Sequence, residues 1–429
     1  MEPTAIHMDI VASDTGSRSP LMARKSLVTA FAICYISILF SGIASMLMSV
    51  YLPVAVAELL GNVTGEQMHT ISAYINSIFI FGTMFGGFIW GFICDQIGRS
   101  KSVTYSTALY GIFSILTAFS HSWILIGVYR FVTGFGIGGI LVTTNILIGE
   151  IWPEKKRAIA LGIVSAAMPV GFIVAGALNN LIPEWRQAFL MGIVPVVTAG
   201  IAFFILAEPP RQNRDSRASR ERLRKQLFSG TNKEGLIQGS VIFGTMLIGL
   251  WAVFSWTPTW VQSITPDSHR ADELRGTTMM ILSLSGLIGS IVSGWVVNKV
   301  GMSKTMMMCF GMSFIMVTVV FKFNTAITYV TLVEMSILAF FFGISQGALS
   351  VYIPSMFPAR IRASATGFCF NIGRLFTATV VFFIGALVTL LGGYGNAVFI
   401  FSFIFLIGLV VIFLSNSRYE AKWENLSSP

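Results

Sequence analysis

Twelve long apolar runs constrain this chain more than any other feature of its sequence. Most approach or exceed the roughly 20 residues that a helix needs to cross a bilayer. Only 11% of the residues are charged, whereas a soluble domain has about 25%. The chain is therefore predicted to be an all-α membrane protein. The runs cover 26–52, 71–94, 103–120, 123–147, 158–182, 187–207, 236–261, 277–298, 305–321, 327–352, 364–390 and 396–415.

A short loop after the second run is repeated after the eighth, 203 residues later. Both copies contain two glycines, a closing lysine, and an acid or its amide. A second repeat of Pro, Arg and Gly follows the fourth and tenth runs at an offset of 205 residues. The matched positions are Gly91 and Gly294, Asp95 and Asn298, Gly98 and Gly301, Lys101 and Lys304, Pro153 and Pro358, Arg157 and Arg362, and Gly162 and Gly367.

These offsets span six runs, an even number, so both halves have the same orientation in the membrane. Parallel repeats of this kind are typical of secondary transporters, in which one half rocks against the other. We predict one six-helix bundle over 26–207 and a second over 236–415, arranged around a central cavity. A basic linker over 208–235 joins them, and short tails occupy 1–25 and 416–429.

The distribution of basic residues is more informative than the net charge of +9. With both termini inside, 22 of the 28 Lys and Arg lie in cytoplasmic segments, and two lie within spans. This bias orients the chain and argues against nucleic acid as a partner. We expect a monomer in the plasma membrane, its linker lying on anionic lipid headgroups or serving as a solvated tether. Four basic residues are assigned to the outside: Arg186, Arg270, Arg275 and Lys322.

The first repeated loop resembles the signature loop of the major facilitator superfamily. In that family the loop is a cytoplasmic latch between the halves, and a charge cluster after the fourth span is joined to it. In the second copy Asn298 and Met302 replace Asp95 and Arg99, which predicts a weaker latch there. The gating residues that the resemblance implies are Gly91, Asp95, Gly98, Arg99, Glu150, Arg157 and Arg362.

Three ionisable residues lie within predicted spans, where an unpaired charge is costly and usually functional. Arg130 begins an arginine and glycine motif that also matches the superfamily. It is interpreted as a residue for substrate binding or proton coupling, or alternatively as a structural arginine bound to backbone carbonyls. Arg374, near mid-bilayer, is predicted to anchor a substrate carboxylate. Glu334 is the candidate proton-coupling acid, and a static ion pair with Arg374 is the alternative.

Aromatic and amide side chains complete the predicted pathway. Trp251 and Trp256 are predicted to line it, and Trp260 to belong to the outer aromatic belt, with packing as the alternative for all three. Every histidine, including His69, is placed outside the spans. The amides that are predicted to bind the substrate, or alternatively to join helices, are Asn76, Asn145 and Gln346.

Within the superfamily, one set of residues is similar to that of the metabolite:proton symporters, which include carriers of aromatic acids, sialic acid and other organic anions. The set is Arg130, Glu150, Pro153, Arg157, Pro354, Phe357, Pro358, Arg360, Arg362 and Arg374. The Asp-Gly-x-Asp motif of the aromatic-acid carriers is replaced here by Ser41-Gly42-Ile43-Ala44. Sialate or another carboxylated metabolite is therefore a better match to this sequence than an aromatic acid.

We expect a transporter rather than an enzyme. It would move a small organic anion with protons by alternating access, without a cofactor or metal. A sugar or organic-cation porter and a non-transporting membrane sensor are the alternatives.

Overall fold

The computed structural model describes residues 24–61, 65–208, 226–358 and 361–427. Nearly all of the predicted N-terminal tail, and 209–225 of the predicted linker, lie outside these ranges. We call the membrane face where α1 begins the terminal face, and the opposite one the distal face. Because the chain crosses the membrane an even number of times, both ends of the helical region lie at the terminal face.

Every predicted apolar run forms a helix, and several helices extend beyond the predicted limits. Two spans are interrupted, the sixth by a single 3-10 turn at Leu190–Gly192 and the twelfth near residue 403. The helices are α1 (Arg24–Leu60), α2 (Gly65–Ile97), α3 (Arg99–Ala118), α4 (Trp123–Ile151), α5 (Glu154–Leu181), α6a (Trp185–Phe189), α6b (Ile193–Ile205), α7 (Gly230–Ile264), α8 (Ser268–Val300), α9 (Met302–Thr318, continued by a π turn at Val319–Phe323), α10 (Tyr329–Ser355), α11 (Arg362–Leu390), α12a (Tyr394–Ser402) and α12b (Ile404–Ser427).

Within the described ranges, eleven helical segments are long and apolar enough to cross a membrane. The exception is α3, whose first half is rich in serine and threonine. Ser102 and Ser106 are buried there, and each hydroxyl donates to a backbone carbonyl one turn earlier, at 2.7 Å. Because these hydroxyls are satisfied within the helix, α3 can pack inside the bundle despite its low hydropathy.

Local sequence signals explain where several helices begin. The Asp267 carboxylate caps α8 by accepting from His269 N at 3.0 Å, and Thr328 forms a capping box with Thr331 at the start of α10. Gly98 and Gly301 precede α3 and α9 with φ angles of +108° and +91°. These angles strongly favour glycine, so the sequence repeat is also a repeat of backbone conformation.

The packing of the helices repeats after six spans. In the first half α2 packs on α4, α1 on α5, and α3 on α4 and α6b; in the second half α8 packs on α10, α7 on α11, and α9 on α10 and α12b. Contacts between α2 and α11, α5 and α8, and α1 and α7 join the halves. The fold is therefore two pseudo-symmetric six-helix bundles, as predicted.

Glycines allow α2 and α4 to approach closely. A Cβ atom added at Gly134 or Gly138 would overlap the backbone carbonyl of Phe79 or Thr83 on α2. The same crossing recurs between α8 and α10, where Gly343 faces the carbonyl of Gly286. Gly134 and Gly138 of α4 are therefore packing surface.

Candidate functional site

The two bundles meet across a set of contacts at the distal face, which we call the distal seal. It consists of two side-chain hydrogen bonds between α5 and α8 and two ring contacts that join α2 to α11 and α12a. Its pairs are Asn179 Nδ2 to Asp272 O at 2.5 Å, Asn180 Nδ2 to Thr277 Oγ1 at 3.4 Å, the rings of His69 and Tyr394 at 4.7 Å, and those of Tyr74 and Phe382 at 4.8 Å.

Deeper in the membrane, α2 and α11 meet at a glycine. A Cβ atom added at Gly87 would lie 2.8 Å from Asn371 Oδ1 and 3.2 Å from Arg374 Nη1. Arg374 is 12 residues from the first residue of α11, or about 18 Å at 1.5 Å per residue. A guanidinium therefore lies at the interface between the bundles, near mid-membrane.

Arg374 is in the middle of the inward face of α11. Its neighbours on that face, Asn371, Thr377, Ala378 and Val381, are all buried, whereas Phe376 on the opposite face is exposed. Arg374 itself is only partly buried. Arg374 is therefore a partly exposed residue on a face of α11 whose other residues are buried.

Arg374 forms its described hydrogen bond with a neutral residue. Its Nη1 donates to Asn371 Oδ1 at 3.3 Å, and the ion pairs of the described chain do not include it. The alternative in which Arg374 forms a static pair with Glu334 is therefore wrong for this structure. A guanidinium has five N–H donors, which leaves donors for an anionic ligand.

Glu334 lies instead near the distal end of α10, five residues after its first residue. Its Oε2 accepts from Asn324 Nδ2 at 2.7 Å, and Asn324 Oδ1 accepts from Thr331 Oγ1 at 2.9 Å. These partners belong to α10 and to the connection before it. The carboxylate is partly exposed and is held apart from Arg374.

Arg130 has a different environment from Arg374. It is 1% exposed, its guanidinium donates to Ala44 O at 2.7 Å and Ser45 O at 3.3 Å, and it lies 4.0 Å from the centre of the Phe79 ring. These contacts match the alternative interpretation of a structural arginine bound to carbonyls. Ala44 occupies the second acid position of the aromatic-acid motif, so here a backbone carbonyl contacts Arg130 at that place.

The predicted tryptophans have two kinds of surroundings. Trp251 lies across the interface from Phe79, with ring centres 6.3 Å apart, whereas Trp256 is fully buried and stacks on Tyr394 at 5.4 Å. The prediction that Trp260 belongs to an aromatic belt is wrong. It is 2% exposed and packs on Phe321 inside the second bundle.

The three predicted amides differ in burial and in hydrogen-bond partners. Asn76 is buried, and its amide nitrogen has no hydrogen-bond partner; the amide nitrogen of Gln346 is likewise buried without one. Asn145 is exposed and donates to Leu141 O at 2.6 Å within its own helix. None of the described hydrogen bonds joins one of these three amides to Arg374.

The predicted gating residues of the first loop meet at the terminal face. Arg99 contacts Glu150 of α4 at 3.0 Å and Asp95 at 3.8 Å. Burial alone would lower the pKa of Arg99, but the hydrogen bond and charge of Glu150 outweigh it and raise that pKa. These ion pairs lie within the first bundle, and neither of them joins the two halves in this conformation.

The other predicted gating residues are less closely connected. Gly91 has open space beside its Cα. Arg157 is partly buried, and its Nε has no hydrogen-bond partner. Arg362 Nε donates to Phe357 O at 3.4 Å, which ties the start of α11 to the end of α10.

The stretch Glu208-Pro-Pro-Arg211 after the sixth span is a looser match to a related superfamily element, which predicts a gating or structural part, and the structure gives Glu208 a specific contact at the first loop. Its carboxylate accepts from the backbone N–H of Arg99, and from those of Ser100 and Lys101 at 3.3 and 3.4 Å. A carboxylate is stabilised at the positive end of a helix. Glu208, three residues after the end of α6b, therefore holds the first turn of α3.

Two predicted positions at the distal face need correction. Arg275, assigned to an outside loop, lies in α8, is 1% exposed, and contacts Gln262 at 2.6 Å and Asp272 at 2.8 Å. His69, placed outside the spans, lies in α2. Both helices begin in polar sequence before their apolar runs, which is why the apolar pattern alone missed these turns.

A cavity of about 640 Å³ borders the distal seal, between α1, α2, α7 and α12a. Its lining combines apolar side chains of α1 with polar groups such as Glu58 and Gln262. Glu58 is already paired with Arg186 at 3.0 Å. The described residues include no group of three or more His, Cys, Asp or Glu that is arranged to hold a metal.

Two pseudo-symmetric helical bundles, with an ion-paired loop at one face and a partly buried arginine between them, are the architecture of a multi-pass membrane transporter rather than an enzyme. The family profile of the Major Facilitator Superfamily matches residues 34–378. The chain belongs to this superfamily.

Curated relatives carry organic acids. The cis,cis-muconate transport protein of Acinetobacter baylyi is 28% identical, over 83% of this chain and 87% of its own length. The 4-hydroxybenzoate transporter PcaK of Pseudomonas aeruginosa is 24% identical over 74% and 77%, and the sialic acid transporter NanX of Escherichia coli is 23% identical over 82% and 84%. The predicted similarity to the metabolite:proton symporter group is confirmed.

A solved structure has the same fold. The D-xylose-proton symporter superposes with a TM-score of 0.76 at 16% identity, and the match covers 90% of this chain and 97% of that one.

Proposed function

We propose that this protein moves a small organic anion across the membrane by alternating access, coupled to protons. The observation that carries the proposal is Arg374, a partly accessible guanidinium between the bundles whose described hydrogen-bond partner is neutral. Such a group attracts a carboxylate strongly. The relatives support the same cargo class, because their names refer to muconate, hydroxybenzoate and sialic acid.

The distal seal is evidence for one conformation of the transport cycle, the one in which the distal face is closed. Its hydrogen bonds and ring contacts close the bundles at the distal face, so Arg374 would be reached from the terminal face. The bias of basic residues supports a cytoplasmic terminal face. We therefore propose the plasma membrane as location, cytoplasmic termini, and an inward-facing conformation that rocking of the bundles over 26–207 and 236–415 would reverse. We expect the transporter to be a monomer.

Glu334 is our proposed proton-coupling acid. It is the single acidic residue of α10. It is partly exposed near the distal face, where external protons arrive. Glu334→Gln should abolish uphill transport while sparing counterflow exchange. Glu66→Gln, which changes an exposed carboxylate at the distal end of α2, is the matched control and should preserve both. Unchanged uphill transport by Glu334→Gln would remove this residue from the mechanism.

Uptake by purified protein in proteoliposomes tests the function directly. We expect saturable uptake of labelled cis,cis-muconate, 4-hydroxybenzoate or sialic acid, increased by an inward proton gradient. D-Xylose is the neutral comparison. Saturable uptake of xylose without uptake of any acid would favour a sugar porter, and binding of an acid without flux would indicate a sensor.

A further inference from the structure

Asn371 is held in one orientation beside Arg374. Its Nδ2 donates to the carbonyl of Gly367, one turn earlier on α11, at 2.9 Å, and its Oδ1 accepts from Arg374 Nη1 at 3.3 Å. Since the amide nitrogen is fixed to the backbone, the amide oxygen must face the guanidinium. Asn371 itself is buried, at 8% exposure, whereas Arg374 is partly exposed.

The opposing helix leaves space for this pair. Gly87 of α2 faces both side chains, and a Cβ atom there would lie 2.8 Å from Asn371 Oδ1 and 3.2 Å from Arg374 Nη1. The first of these distances is shorter than side-chain atoms tolerate. Any larger residue at position 87 would therefore displace the amide, the guanidinium or α2 itself.

We infer that Asn371 and Gly87 position Arg374 and keep its charge available for the carboxylate of the solute. A neutral acceptor orients the guanidinium without cancelling its charge, whereas a carboxylate at the same place would form an ion pair with it. The inference rests on the proposed function, in which Arg374 binds the anion. Residue 371 would then determine whether the site accepts an anionic or a neutral solute.

Replacing Asn371 by Asp gives the sharpest test, because the two side chains are nearly identical in shape. The change should raise the dissociation constant for labelled cis,cis-muconate by at least about tenfold, or roughly 1.4 kcal/mol. Turnover in counterflow exchange at saturating muconate should change much less. Asn371→Ser, which retains a neutral acceptor, should bind muconate more tightly than Asn371→Asp.

Asn396 offers a matched control in the same bundle. Its Nδ2 donates to Leu391 O at 2.9 Å, and its Oδ1 accepts from Lys322 Nζ at 3.0 Å. Like Asn371, it is held between a backbone carbonyl and a cation, here at the distal end. Asn396→Asp should leave muconate affinity unchanged. Equal losses in the two Asp variants would show a general cost of added charge and would overturn the inference.

Gly87→Ala tests the steric part separately, because it leaves every charge in place. It should weaken muconate binding, and Gly87→Val should weaken it further. Wild-type affinity in both Asn371→Asp and Gly87→Ala would overturn the inference but leave the proposed function standing. Absence of muconate, 4-hydroxybenzoate and sialic acid uptake by the wild type would instead defeat the proposed function, and the inference with it.

Discussion

The two copies of the repeated loop share a backbone but differ in what holds them. In both copies a glycine with positive φ, Gly98 or Gly301, precedes the next helix and donates its N–H to a carbonyl one turn earlier, at 3.1 and 2.9 Å. The turn is therefore a scaffold element common to both bundles. Its conformation does not depend on the charges around it, because the second copy keeps it without the acid and the arginine.

The charges distinguish the two copies. Arg99 of the first loop is bound to Glu150 at 3.0 Å, and Glu208 holds the first turn of α3. In the second loop Met302 takes the place of Arg99 and is 4% exposed, and Lys299 lies 4.3 Å from the centre of the Trp295 ring. The first loop is fixed by one ion pair to α4 and by Glu208 beyond the end of α6b, whereas the second depends more on apolar burial.

The largest expected effect comes from the two glycines. Gly98→Ala and Gly301→Ala should each lower the free energy of unfolding by about 1–3 kcal/mol, because both φ angles are strained for alanine. Gly98→Ala should cost more, since its Cβ would overlap the Glu208 carboxylate, whereas the space beside Gly301 is open. Thermal unfolding in detergent, followed with a thiol-reactive dye on the four buried cysteines, measures both. Equal losses would mean that Glu208 contributes nothing to the first loop.

An intermediate effect is expected when the first loop is made to resemble the second. Arg99→Met removes the contact with Glu150 and should lower the free energy of unfolding by about 1–2 kcal/mol, because the pair is mostly but not fully buried. Met302→Leu, a volume-conserving change at the matched position, should cost much less. The same unfolding assay compares the two variants. A smaller loss in Arg99→Met than in Met302→Leu would show that the ion pair does not fix the loop.

The smallest effect should come from Glu208→Gln. The amide keeps an oxygen acceptor at the start of α3 but loses the charge that favours the helix N-terminus, a change of about 0.3–1 kcal/mol at an exposed position. Raising the salt concentration should reduce the difference from wild type, because salt screens this interaction. A difference that is independent of salt would indicate that the charge is not the cause.

The fold could be predicted because its determinants are continuous in sequence. Apolar length predicted the helices, and the offsets of 203 and 205 residues predicted two parallel bundles. The ends of helices were less predictable. Arg275 lies in a polar first part of α8, where Asp272 of the same helix pairs with it, and its contact with Gln262 is recognisable only once α7 and α8 are side by side.

The candidate site was predictable in residue type but not in arrangement. Arg374 stood out as a charge within an apolar run, yet its neighbour Asn371 carried no separate signal. Its role depends on which way one amide points. Likewise, Glu334 and Arg374 are both ionisable residues in predicted spans, but only the three-dimensional structure shows that Asn324, and not Arg374, contacts the carboxylate.

The most direct test of Arg374 as the anion-binding residue is equilibrium binding of an organic acid to purified protein with and without this arginine. The labelled acid is whichever of cis,cis-muconate, 4-hydroxybenzoate and sialic acid the wild type transports fastest. We predict that Arg374→Gln raises its dissociation constant by at least about tenfold, with unchanged thermal stability, and that Arg374→Lys has a smaller effect. An unchanged dissociation constant in a folded Arg374→Gln variant would contradict the claim that this guanidinium binds the solute.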